Sequence, residues 1–281
     1  MPMAPKYRFA LQTFSALSIA AAIALLGAIY TGAYDVTATH QHTRPVHWAL
    51  DTAMRQAVRL RAKGVKVPVL DDPALAQRGF VHYRGSCLQC HGAPGVAPEP
   101  FARGLMPLPN SLAQTALEWT SAELYWVTRS GLKMTGMPAW EFRYPDEDLW
   151  AIVAFVKLLP KLTAADYAAM DRGSSEKSTS RWTGDLPTAG DARRGAIALQ
   201  QYACTSCHRI PGMVGAAAHV GPPLEGIASR KYLAGRLPNT PENMIRWIRE
   251  PKNISPATLM PDLDVTEHHA RDIAAYLATL K

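Results

Sequence analysis

The hydrophobic pattern changes character along the chain. From Phe9 to Tyr34 it is continuous: no residue in that run is charged, and Lys6 and Arg8 stand ahead of it. A helix of about 20 apolar residues crosses the hydrocarbon core of a bilayer, so residues 1–34 are expected to form a membrane anchor. A cleaved signal peptide carries a shorter apolar stretch, about 7–15 residues, before a small-residue cleavage site. The length here favours an anchor that is kept. Only Arg44 follows within the roughly 20 residues that count for topology, so the start is expected inside and the rest outside.

Residues 35–70 switch to helical period. Trp48, Leu50, Ala53, Met54, Ala57, Val58 and Leu60 recur near the 3.6-residue repeat, while Arg55, Arg59 and Arg61 make a basic side. Thr43 suits an N-cap and Pro45 a first turn. This predicts a juxtamembrane amphipathic helix, either a spacer resting on lipid or a docking surface for a membrane partner. In the docking case the arginines steer toward acidic groups and the stripe around Trp48 and Leu50 holds. The neighbouring His40, His42 and His47 read as polar residues before they read as metal ligands.

Two segments of like design follow, residues 71–160 and 191–281. The first has helical patterns from about Pro73 to Tyr83, in "TSAELYWVTRSG" and in "PDEDLWAIVAFVKLLP". Asp146, Glu147 and Asp148 fall in the first turn of the last, where acid suits the helix dipole. The second has them in "DARRGAIALQQYA", "TPENMIRWIREP" and "TEHHARDIAAYLATL". Residues 161–190 read as a linker, because Gly173 to Gly190, "GSSEKSTSRWTGDLPTAG", is rich in Ser, Thr and Gly. The order of parts repeats, which marks an internal duplication. The expected class is all-α: a transmembrane helix, then two tandem helical domains.

A length of 281 residues allows about two domains, and 48% hydrophobic with 19% charged residues suits folded domains plus a membrane element. The formal net charge of +7 is concentrated in residues 35–70 and the last segment. Nucleic acid is a poor partner for a chain expected outside the cytoplasm; anionic lipid or an acidic protein fits better.

The chemistry lies in four residues. Cys87, Cys90, Cys204 and Cys207 are all the cysteine present, and each pair is followed at once by a histidine, His91 or His208. C-x-x-C-H is the attachment signature of c-type haem: two thiols bond the two vinyl arms of one porphyrin, and the adjacent imidazole is placed under the iron. A thiol redox pair usually follows a strand and needs no histidine, whereas each pair here follows a helical run. A zinc ribbon spaces its pairs about 15–20 residues apart, far closer than these. Two covalently bound haem c groups are therefore expected.

The sixth ligand separates an electron carrier from an enzyme. "GLKMTGMPAW" offers Met134 and Met137, and "SPATLMPDL" offers Met260. Met137 and Met260 each precede a proline and then the final helix of their segment, so they are the expected axial ligands opposite His91 and His208. A thioether stabilises ferrous iron and raises the potential. A methionine alone reads as core packing; the matched Met-Pro pair tips the reading. Met213 lies too close to His208 to reach the opposite face, and Met106 and Met244 lack a counterpart.

With these motifs in view, the two segments resemble tandem bacterial class I cytochrome c domains, through "GFVHYRGSCLQCHG" and "GMPAWEFRYPDEDLWAIVAFV" in the first and "GAIALQQYACTSCH", "GPPLEG" and "LMPDL…DIAAYLATL" in the second. The resemblance implies a helical fold without a sheet. It also implies a close crossing of first and last helices, at Gly79 against Phe155 and at Gly195 against Tyr276, and a Pro222 carbonyl bonded to His208. In the first segment "GLMPLPNSL" replaces "GPPLEG", which leaves Pro107 and Pro109 both open. The whole chain is similar to membrane-anchored dihaem cytochromes. That implies a single-pass protein of the bacterial inner membrane with its haem domains in the periplasm and no catalytic residue. It would carry electrons between a terminal oxidase, a quinol–cytochrome c reductase or a periplasmic dehydrogenase. The alternative is an obligate electron-transfer and anchoring subunit of a larger oxidase or dehydrogenase. A dihaem peroxidase needs an open iron, and both segments offer a methionine.

Overall fold

A computed structural model describes residues 5–175, 189–214 and 220–281. Helix α1 (Pro5–Thr31) carries the apolar run. It is long and apolar enough to cross a membrane, and Phe9, Phe14, Leu17, Ile23 and Ile29 stay exposed along it.

Helix α2 (Arg44–Ala62) starts after Thr43 with Pro45 in its first turn, as expected, though Thr43 makes no side-chain cap bond. Helix α3 (Pro73–His82) is capped by the Asp72 carboxylate, which accepts from the Ala74 amide at 2.9 Å. It runs through a π turn at Tyr83–Cys87 into the short α4 (Leu88–His91). Then come α5 (Leu112–Glu118) and α6 (Ser121–Ser130), the latter opened by a Thr120–Glu123 capping box. Helix α7 (Asp146–Leu158) has the three acids in its first turn.

Helices α3 and α7 cross so closely that a Cβ on Gly79 would sit 1.9 Å from the Ala151 carbonyl oxygen and 2.9 Å from the Phe155 Cβ. Phe80, Tyr83, Leu149, Ile152, Phe155 and Leu159 form the first core around this crossing. Phe80 meets Phe155 edge-on at 5.4 Å between ring centroids.

Two expectations change here. Part of the stretch expected as linker is helix α8 (Ala164–Gly173), opened by a Thr163–Asp166 capping box. Its fully buried Tyr167 joins the first core, 5.7 Å from Phe80. The Ser-rich remainder, residues 176–188, lies outside the described residues. The basic side of α2 also turns inward. Val58 and Ala62 are buried where α2 meets α6. Arg55 reaches Glu118 at 3.5 Å and lies over the Trp119 ring, Arg59 reaches Glu123 at 3.7 Å, and Arg61 lies over Trp126. These arginines have partners in the first domain because α5 and α6 present acids and indoles at matching heights. Trp48, Leu50 and Leu60 remain exposed.

The second domain repeats the plan. Helix α9 (Ala192–Gln201) is capped by Asp191, which accepts from the Arg193 and Arg194 amides. A hairpin of β1 (Tyr232–Leu233) and β2 (Leu237–Pro238) follows, in antiparallel register Leu233 to Leu237. This is a small departure from a sheetless fold: Ala234 and Gly235 both take positive φ, as the mirror-type hairpin turns require. Helices α10 (Pro241–Arg249), α11 (Pro251–Ile254) and α12 (Glu267–Leu277) complete the chain. Helix α9 crosses α12 at Gly195, where a Cβ would meet the Asp272 carbonyl oxygen at 2.0 Å and the Tyr276 Cβ at 3.0 Å. Buried Asp272 also takes Arg194 Nε at 2.9 Å and the Asp191 amide at 2.6 Å, which ties the start of the domain to its last helix.

Candidate haem sites

The two C-x-x-C-H strings reach similar ends by different backbone routes. In the first, the π turn after α3 delivers buried Cys87, and α4 carries Cys90 and His91. A π turn inserted in a helix is a common device at functional sites. In the second, α9 ends at Gln201, Ala203 takes a left-handed φ of 55°, and a 3₁₀ turn at Cys204–Ser206 leads to Cys207 and His208. Burial pushes the Cys87 thiol up to about 12 and the Cys204 thiol up to about 11. Among the described residues no group of three or more His, Cys, Asp or Glu is placed to hold a metal ion.

Both histidines are fixed through one ring nitrogen. His208 donates from Nδ1 to the Pro222 carbonyl at 2.8 Å, as the resemblance implied. His91 donates from Nδ1 to the Asn110 carbonyl at 2.7 Å. A carbonyl can only accept, so each bond sets the tautomer with the proton on Nδ1 and leaves the Nε2 lone pair for a metal. Burial also lowers the His91 pKa, which favours the neutral, ligating form. The question left between Pro107 and Pro109 thus has a third answer, Asn110, directly after Pro109. Position gave no signal, because Asn110 lies 19 residues past His91 and Pro222 only 14 past His208.

Gly221 supplies a further constraint that sequence reasoning missed. A Cβ there would lie 2.4 Å from Cε1 and 2.7 Å from Nδ1 of His208. The backbone packs against the ring where only a hydrogen fits. A ring pinned at Nδ1, walled by a glycine and next to two cysteines fits a covalently held haem.

The methionines sort by environment. Met137 and Met260 are half-buried and sit in loops of the same make. The Met137 amide donates to Thr135 Oγ1 at 3.1 Å, and the Met260 amide donates to Thr258 Oγ1 at 3.2 Å. The shared string is T-x-M-P, "TGMP" and "TLMP", longer than the Met-Pro match alone. In the first loop Leu132 also donates to the Met137 carbonyl at 3.2 Å, and Gly131, at φ 67°, lets the chain pass against Pro138. Met134 is 85% exposed, Met106 lies at the surface, Met244 is buried in the second core and Met213 packs against that core.

Residues 74–156 match the family model described as cytochrome c oxidase, cbb3-type, subunit III, and residues 192–281 match the cytochrome c model. A stretch of 96 residues is 34% identical to a cytochrome c oxidase subunit 2 from Alkalihalophilus pseudofirmus, covering 34% of this chain and 27% of that protein. The fold and the two sites define a mostly helical electron-transfer protein. More particularly, it carries two cytochrome c-type domains in tandem, one of the cbb3 subunit III type and one of the cytochrome c type, as a dihaem cytochrome c does.

Proposed function

We propose that the protein is a membrane-anchored dihaem c-type cytochrome that carries single electrons on the periplasmic face, between a respiratory donor and a terminal oxidase or other acceptor. The observation that carries this reading is the paired histidine geometry, with Nδ1 held by a carbonyl beside two cysteines in each domain. Cys87 and Cys90 attach one haem, and Cys204 and Cys207 the other. His91 and Met137 are the axial ligands of the first iron, His208 and Met260 those of the second. Asn110 and Pro222 orient the imidazoles. Bound haem supplies a reversible one-electron couple whose potential the thioether ligands raise.

The chain's own residues do the rest. The threonines of the T-x-M-P loops hold the methionine backbones, and the glycine crossings close each domain around its site. Helix α1 is the anchor, and α2, packed on the first domain, joins it to the cytochrome domains. The similarity to an oxidase subunit and to the cbb3 family favours an oxidase-type partner. It equally supports the second reading, an obligate electron-transfer subunit of such a complex.

Purification from membranes in mild detergent tests both. The expected protein retains haem stain after denaturation, contains two irons per chain, and loses one sulfur–iron absorption band in each of Met137→Ala and Met260→Ala. Recovery in the soluble fraction overturns the anchor. One iron per chain overturns the dihaem assignment. Constant co-purification with oxidase subunits favours the obligate-subunit reading.

A further inference from the structure

Among the described residues the two cytochrome domains meet at a joint that falls next to both sites. Ala139 and Phe142, from the loop after Met137, are buried in the core of the second domain. The Ala139 amide donates to Gln201 Oε1 at 3.2 Å, and the Arg143 guanidinium donates to the Gln201 carbonyl at 3.1 Å. Tyr202 Oη donates to the Phe142 carbonyl at 3.3 Å, and the Phe142 ring lies 5.0 Å from that of His269. Gln201 is therefore held by side chain and backbone together, at the end of α9 and just ahead of Cys204.

We propose that this contact conducts electrons between the two halves of the molecule, with Gln201 as its positioning residue. The proposal rests on the dihaem reading above and on Met137 as a ligand. From Met137 the chain passes through Pro138 to the Ala139 amide. One hydrogen bond leads to the Gln201 side chain, and the backbone continues through Tyr202 and Ala203 to Cys204. The path is covalent bonds and a single hydrogen bond, with no through-space gap. Tunnelling falls off more slowly through bonded atoms than across a void, and the other covalent connection runs through α7, α8 and the whole linker. A single electron moves along the path. One end is oxidised as the other is reduced, and no proton moves and no bond changes. Arg143 and Phe142 keep the joint closed, so the path has the same length at every transfer.

The test compares wild type, Gln201→Leu and Gln201→Glu as two-haem protein. Leucine fills the space without an acceptor, and glutamate keeps an oxygen for the Ala139 amide. Interhaem exchange is followed after pulsed reduction, with both potentials and the sulfur–iron bands recorded alongside. Protection of the Ala139 amide is read separately by hydrogen exchange. The expected result is a several-fold slower exchange in Q201L and recovery in Q201E, at unchanged potentials, with Ala139 protected in wild type and Q201E only. An unchanged rate in Q201L, a Q201E as slow as Q201L, or a freely exchanging Ala139 amide in wild type would overturn the proposal. A wild type lacking the sulfur–iron band of the first haem is a separate failure, of the Met137 assignment, and would overturn the route at its first residue.

Discussion

Replacing Gly221 by alanine would place a methyl carbon 2.4 Å from Cε1 of His208, well inside van der Waals contact. The ring or the 221–222 backbone must then give way, and the Pro222 bond that sets the tautomer goes with it. The expected outcome for Gly221→Ala is a high-spin component at the second haem and none at the first, read from absorption spectra of the two-haem protein. An unchanged spectrum would mean the ring does not rest on that glycine. At this scale the sequence was legible where one motif recurs at fixed spacing. The C-x-x-C-H strings leave little choice, and the Met-Pro matches pointed to the loops that the threonines fix. Backbone partners were harder to read, since a carbonyl belongs to every residue. Nothing in the letter Asn110 says that its oxygen faces His91.

Elements were legible where two backbones touch. Gly79 and Gly195 carry the crossings because a side chain would strike a carbonyl, at 1.9 and 2.0 Å, and that demand leaves a mark in the sequence. Gly79→Ala must push α3 and α7 apart. The expected loss is about 1–3 kcal/mol, the usual cost of overpacking, measured as a lower unfolding midpoint for the first domain with the second unchanged. Contacts between elements far apart in sequence left no comparable mark. The arginines of α2 suggested an outside partner because their acids, Glu118 and Glu123, lie about sixty residues on. Helix α8 adjoins the Ser-rich stretch beyond Gly173, and that composition hides it. Its capping box at Thr163 and Asp166 was the available signal.

Across the whole molecule, the joint between domains gives a pH response. Burial, then the neighbouring His268, lowers the His269 pKa from an ordinary 6.5 to about 4. Tyr202 Oη lies 2.9 Å from its Nδ1, Phe142 faces its ring, and Asp272, Arg143 and Arg194 act on it as charges. A base with a depressed folded pKa leaves the unfolded chain to take up the proton first, so its share of stability is complete above pH 6.5 and is lost as pH falls toward 4. The unfolding midpoint is expected to drop across that window, ahead of carboxylate titration, and His269→Phe is expected to flatten the drop. An identical pH profile in the variant would remove His269 from the account. The packing of α2 on the first domain has a geometric consequence. If α1 sits in the bilayer and α2 moves with the first domain, the segment between Thr31 and Arg44 sets the reach of the head. A dozen residues at about 3.3–3.6 Å each span roughly 40 Å at full stretch. On the proposed anchoring the head would be on a short leash: it would swivel close to the lipid surface and meet partners by drifting sideways in two dimensions, so an acceptor would need its entry point low, near the headgroups.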